Sequence, residues 1–131
     1  MTTSAPAAAP GSPVISTIYR IVASGVWAAA RQVGTFEGTA HDRRDGFIHF
    51  STATQLAETA ARHYAGQRGL LLLYVRTAEV EASLRWEPAR GGALFPHLHA
   101  PLSCAAVHRE EPLTLGEDGL HVLPGDLFQE S

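Results

Sequence analysis

Residues Thr17–Val22, TIYRIV, are β-branched and aromatic, and alternation predicts a strand with Ile18, Arg20 and Val22 on one face and Tyr19 and Ile21 on the other. Arg20 is thereby set among apolar neighbours. Ser24 can cap a helix running through Trp27, Ala28, Ala30 and Arg31 to about Val33, and Gly34 closes it. Phe36 to Ala40 reads as a short extended piece, and His41 to Gly46, HDRRDG, as a charged turn. The chain is organised around the next run, DGFIHFSTATQLAETAARHYAG from Asp45 to Gly66. There Phe47 and His49 share one face of a strand and Ile48 and Phe50 the other. Thr52 and Gln55 form a T-x-x-Q capping box, predicting a helix from Ala53 to about Ala65 that Gly66 stops. Leu56, Ala60, His63 and Tyr64, with Ala57 and Ala61 beside them, make a small-residue stripe suited to close packing on a sheet.

Leu70 to Val75, LLLLYV, lacks alternation, as a central strand covered on both faces does. Thr77 to Ala82 reads as a turn or helical piece, Leu84 to Glu87 as a brief strand ended by Pro88, and Arg90 to His99 as a glycine-started loop. Ser103 to Arg109 reads as a further strand, and Pro112 to Pro124 as a turn-rich stretch able to add a last one. Several short strands with two helices in the first half predict a single α+β domain with a curved or split, mainly antiparallel sheet. The domain is expected over residues 15–124, with a disordered tail over 1–14 and a C-terminal tail over 125–131. The first sixteen residues carry no charged side chain and too little apolar surface for a core.

With 131 residues, one core of ordinary size suffices. Cys104 has no partner within the chain, so no disulfide framework is expected and a cytoplasmic setting is the default. Ten basic residues, all arginine, stand against 13 acidic ones for a net charge of −3, which argues for neither a nucleic-acid nor a membrane partner. No P-loop, G-x-G-x-x-G or G-x-S-x-G occurs.

Three polar places fall in burial-prone settings: Arg20, His49 with Ser51 and Thr52, and Trp86–Glu87 before Pro88. A strand leading through Ser51 and Thr52 into a helix N-terminus can present hydroxyls and N–H groups to a polar ligand, or His49 can be a core histidine satisfied by a neighbour. Glu87 beside Trp86 suits proton transfer if apolar surroundings raise its pKa, or it is an edge carboxylate paired with Arg85 or Arg90. His97 and His99 lie on one side of an extended segment, but a zinc site needs further ligands, so no metal is expected. Cys104, in an apolar run, reads as a small buried hydrophobe.

IYRI, W-x-x-A, the DGFIHF unit, LLLLYV, LRWEPARGGALFPHLHAPL and HVLP together resemble the DUF952 family of small proteins of unknown function, over about residues 17 to 124. That family is similar to a divergent ADP-ribosyltransferase fold. The resemblance implies signature places at Arg20, at His49-Phe50-Ser51-Thr52 with Tyr64, and at Glu87. Glu87 and His49 are then expected as catalytic residues and Arg20, Ser51, Thr52 and Tyr64 as ligand-binding ones, with Trp86, able to stack on a ring, and His97 lining the same cleft. The expected ligand is a nucleotide such as NAD or ADP-ribose, with NAD a substrate and no resident cofactor. Transfer of ADP-ribose or cleavage of the nicotinamide–ribose bond would follow. A module that keeps the pocket without the chemistry is the alternative, as is an interaction protein in which Arg20, His49 and Glu87 do not converge.

Overall fold

The structure, a computed structural model, describes residues 15–127, so the expected N-terminal tail and residues 128–131 lie outside it. Its central strand is β4 (Leu70–Arg76), flanked antiparallel by β1 (Thr17–Ala23) and β8 (Val107–Leu115), with β9 (His121–Val122) outside β8. Registers run from Thr17↔Arg76 to Ala23↔Leu70 on one side, and from Leu70↔Leu113 to Val75↔Val107 across a bulge at Tyr74/Val75 on the other. The LLLLYV expectation holds. Leu72, Leu73, Tyr74 and Val75 are fully buried because alternate residues feed two cores. Ile18, Val22, Leu73 and Val75 join Trp27 and Ala30 of α1 (Ser24–Val33) on one face. Tyr19, Ile21, Leu72 and Tyr74 meet Leu56 and Ala60 of α3 (Ala53–Tyr64) on the other. Ala57 and Ala61, read from the sequence as part of the sheet-facing stripe, are exposed instead.

A second sheet has the order β3 (Ile48–His49), β6 (Leu94–Leu98), β5 (Leu84–Pro88), and β2 (Thr35–Phe36) pairs with β7 (Leu102–Ser103). The two larger sheets meet where Tyr19 and Ser51 exchange backbone hydrogen bonds of 2.8 and 2.9 Å. This bridge covers the outer edge of β1 at Tyr19, where the strands curl into a half-barrel. The fold is thus a single α+β domain with a curled antiparallel sheet. No helix among the described residues is long and apolar enough to cross a membrane.

Several sequence readings are corrected, beginning with the Ser24 cap: α1 starts at Ser24 itself, with Ala23 in the cap position and no side-chain cap bond. The charged turn at 41–46 is a helix, α2 (Ala40–Asp45), held by a capping box between Thr39 and Asp42 and closed by Gly46 at φ 90°. The loop expected over Arg90–His99 contains β6, the middle strand of its sheet. Phe95, Pro96, His97 and Leu98 are all buried there, so alternation is absent, and Pro96 hides the strand although its carbonyl accepts from the Phe50 N–H at 3.0 Å. The helices number four among the described residues rather than two, the fourth being α4 (Thr77–Val80). Within the expected C-terminal tail, Leu127 is buried and its carbonyl accepts from the Tyr19 hydroxyl at 3.2 Å.

The Tyr74 hydroxyl is buried without a hydrogen-bond partner among the described residues, and burial pushes its pKa up to about 12. Because an unsatisfied buried hydroxyl is costly, Tyr74→Phe is expected to leave stability unchanged or raise it by up to about 1 kcal/mol in urea unfolding. A loss beyond about 1 kcal/mol would show that the hydroxyl has a partner.

Candidate functional site: a histidine and arginine cleft

Asp42 is the hub. It sits third in α2, and its Oδ2 accepts from the Thr39 N–H at 2.7 Å and the Thr39 hydroxyl at 3.0 Å. Gly38 precedes this cap at φ 98°, and a Cβ there would meet the Asp42 Cβ at 2.7 Å, so only glycine lets the backbone approach. Oδ1 accepts from Arg20 Nη1 at 2.8 Å, His49 Nδ1 at 2.6 Å and the His49 N–H at 3.1 Å. Arg20 also donates to the carbonyls of Ile21 at 2.9 Å and His49 at 3.1 Å, which explains a charge on the core face of β1. Burial raises the Asp42 pKa, but the bonds from His49 and Arg20, the Arg20 charge and the Thr39 cap outweigh it and hold the carboxyl far below the usual range. An ionised carboxylate only accepts, so His49 must donate through Nδ1. Its Nε2 then lies 2.9 Å from Asp45 Oδ2.

A second carboxylate–histidine set lies alongside, because β3 and β6 pair His49 with His97. Their rings are 5.6 Å apart. Glu87 Oε1 is 2.8 Å from His97 Nδ1 and 2.9 Å from His99 Nε2. Those bonds, His99's first, hold the Glu87 carboxyl below its usual range, where the sequence had suggested a raised value from apolar surroundings. Burial pushes the His97 imidazole below its usual value despite Glu87, leaving it neutral near pH 7 with Nε2 directed away from Glu87. Phe47 stacks on the His97 ring at 4.0 Å and stands 4.7 Å from that of His49.

Both sets border a cleft of about 540 Å³. Its other wall is the helix face carrying Thr59, Arg62 and His63, together with Arg90 from the β5–β6 connection. Arg90 is held in place: Nη2 donates to the Thr59 hydroxyl at 3.1 Å, and the guanidinium lies 4.8 Å over the Phe95 ring. The Ser51 hydroxyl meets that of Thr59 at 2.9 Å. Three arginines and four histidines line the cleft with one carboxylate, Asp42, which pairs with Arg20, while Glu58 beside the lining contacts Arg62 at 3.1 Å and Arg90 at 3.7 Å. His63 registers the resulting field: burial first, then the charge of Arg90, pushes its pKa down.

Of the residues expected from the sequence, Arg20, His49, Ser51, Tyr64 and His97 line the cleft. Thr52, Trp86 and Glu87 are not among its lining residues. The Thr52 hydroxyl is engaged in the α3 capping box. The Trp86 side chain packs against the core on the α1 side of the sheet. Glu87 reaches the cleft only through His97, and its partners are the two histidines rather than Arg85 or Arg90. Tyr64, expected as a ligand-binding residue, donates its hydroxyl to the Ile21 carbonyl at 3.2 Å. Sequence reasoning missed Asp42, hidden in what read as a charged turn, although T-x-x-D after glycine was a usable cap signal. It also missed Thr59, Arg62 and His63 as one face of α3 at i, i+3, i+4 spacing.

The comparisons agree with this architecture. The chain is similar to the crystal structure of protein CC0527 from Caulobacter crescentus, with 45% identity, a TM-score of 0.83, and coverage of 86% of this chain and 99% of that one. The solution NMR structure of CC0527 is 47% identical with a TM-score of 0.73, covering 79% of this chain and 90% of that one. No curated protein matched. A family model described as "Protein of unknown function (DUF952)" matches residues 21–110, and the chain therefore belongs to the DUF952 family.

Proposed function

We propose that the cleft binds an anionic nucleotide of the NAD or ADP-ribose class. The observation carrying this reading is the wall that brings Arg62 and Arg90 together beside the Ser51 and Thr59 hydroxyls, with the exposed Glu58, outside the lining, as their counter-charge at 3.1 and 3.7 Å. Such a surface favours phosphate over a neutral or cationic ligand. A volume of about 540 Å³ suits a ligand of that size. Arg90 and Arg62 would take the phosphates, with the Ser51 and Thr59 hydroxyls and Arg20 nearby for ribose or phosphate oxygens. The finer reading is cleavage of the nicotinamide–ribose bond or transfer of ADP-ribose, the chemistry that the resemblance expected from the sequence would imply. In it, His97, neutral and backed by Glu87, takes the proton of the attacking hydroxyl, so that Glu87 acts through His97.

A second reading, a binding module without chemistry, is favoured by the place of Glu87, outside the lining with Oε1 shared by two imidazoles. Calorimetry with NAD and with ADP-ribose, alongside an assay of nicotinamide release, separates the two. Binding with release supports the enzyme, and binding without release supports the module. Absence of binding by either nucleotide overturns both.

A further inference from the structure

We propose that His41, Asp45 and His49 form a site for a divalent first-row transition ion at the mouth of the cleft. His41 and Asp45 are one turn apart on α2, and the left-handed Gly46 that ends this helix brings β3 back so that His49 lies beside them. Asp45 Oδ2 is 2.9 Å from His49 Nε2 and 3.5 Å from His41 Nε2, and one ligand atom from each residue lies within 4.8 Å of the others. Bonds of about 2.0–2.2 Å place donor atoms roughly 3–3.5 Å apart around one ion, so small side-chain movements suffice. Two imidazoles and a carboxylate are the donor set of zinc and its neighbours, and two of the three ligands, His41 and His49, also line the cleft.

The second observation is Asp42. By accepting from His49 Nδ1 at 2.6 Å, it sets the ring so that Nε2 points towards Asp45, the carboxylate–histidine arrangement that orients metal ligands. His49 Nε2 then lies 2.9 Å from Asp45 Oδ2, and a cation bound between them takes the place of any proton that the pair shares. Arg44, which contacts His41 Nδ1 and approaches Asp45 Oδ1 at 3.8 Å, is the competing charge. Its side chain is 69% exposed and free to swing away. The site shares His41 and His49 with the lining of the cleft, but its test uses no nucleotide and so can fail independently of that reading.

The experiment is a cobalt(II) titration of the tag-free full chain, followed by visible absorption and reversed by zinc. One ion per chain is expected. His41→Ala and Asp45→Ala, both at exposed positions, are expected to weaken binding at least about tenfold, whereas His108→Ala leaves it unchanged. Circular dichroism of each variant confirms the fold. No saturable cobalt band, or binding that survives both substitutions, overturns the site.

Discussion

Asp42→Asn is expected to destabilise the protein by about 3–5 kcal/mol, the loss typical of removing one partner of a buried ion pair. The substitution keeps the shape of the side chain and leaves Arg20, 7% exposed, without its counter-charge. It also weakens the cap of α2 and the bond that orients His49, so three elements loosen together. Arg20→Met combined with Asp42→Asn should cost much less than the sum of the single changes, because the stranded charge is gone. The same carboxylate sets an acid limit. Its folded pKa lies below the ordinary value of 3.8, so its contribution is complete above that value and is lost as pH falls towards the folded pKa. Urea midpoints measured from pH 7 downward should therefore drop more steeply below about pH 4 in the wild type than in the double variant. A cost below about 1 kcal/mol for Asp42→Asn would contradict the network as described.

The second large effect concerns chemistry. Glu87→Gln is expected to lower nicotinamide release at least about 100-fold, the lower range for disabling a general acid–base pair, while ADP-ribose affinity stays within about threefold. The carboxylate lies outside the lining, so ligand contacts persist. What disappears is the negative charge beside His97 Nδ1 that, in the proposed mechanism, would stabilise the imidazolium formed when His97 takes a proton. Release measured in the variant at the wild-type rate would remove Glu87 from the mechanism.

Much of the fold could be read along the chain wherever local chemistry and tertiary packing agree. Thr52 and Gln55 cap α3 as their spacing predicts, and unbroken apolar character marks β4 as central. Reading failed where a tertiary contact supplies the stability. Of the residues of α2, Asp42 alone is buried, and it is buried by pairing with Arg20, 22 positions away, so no apolar period reveals the helix. In β6 the two faces are covered by different elements and a proline interrupts the run, so its segment looks like a loop. The candidate site follows the same division. Arg20 and His49 were conspicuous as polar residues on apolar strands, but the carboxylate that joins them and the arginine of the opposite wall become visible only when β1, α2, α3 and the β5–β6 connection are brought together.

The central claim is that this cleft is built for an anionic nucleotide, and calorimetric titration of ADP-ribose into wild type and Arg90→Ala at one low salt concentration tests it most directly. The expected result is saturable binding of one ADP-ribose per chain, weakened about tenfold or more in Arg90→Ala, the range for losing one charge-assisted hydrogen bond. Wild type that takes up no ADP-ribose, or a folded Arg90→Ala variant that binds it as tightly as wild type, would contradict the account.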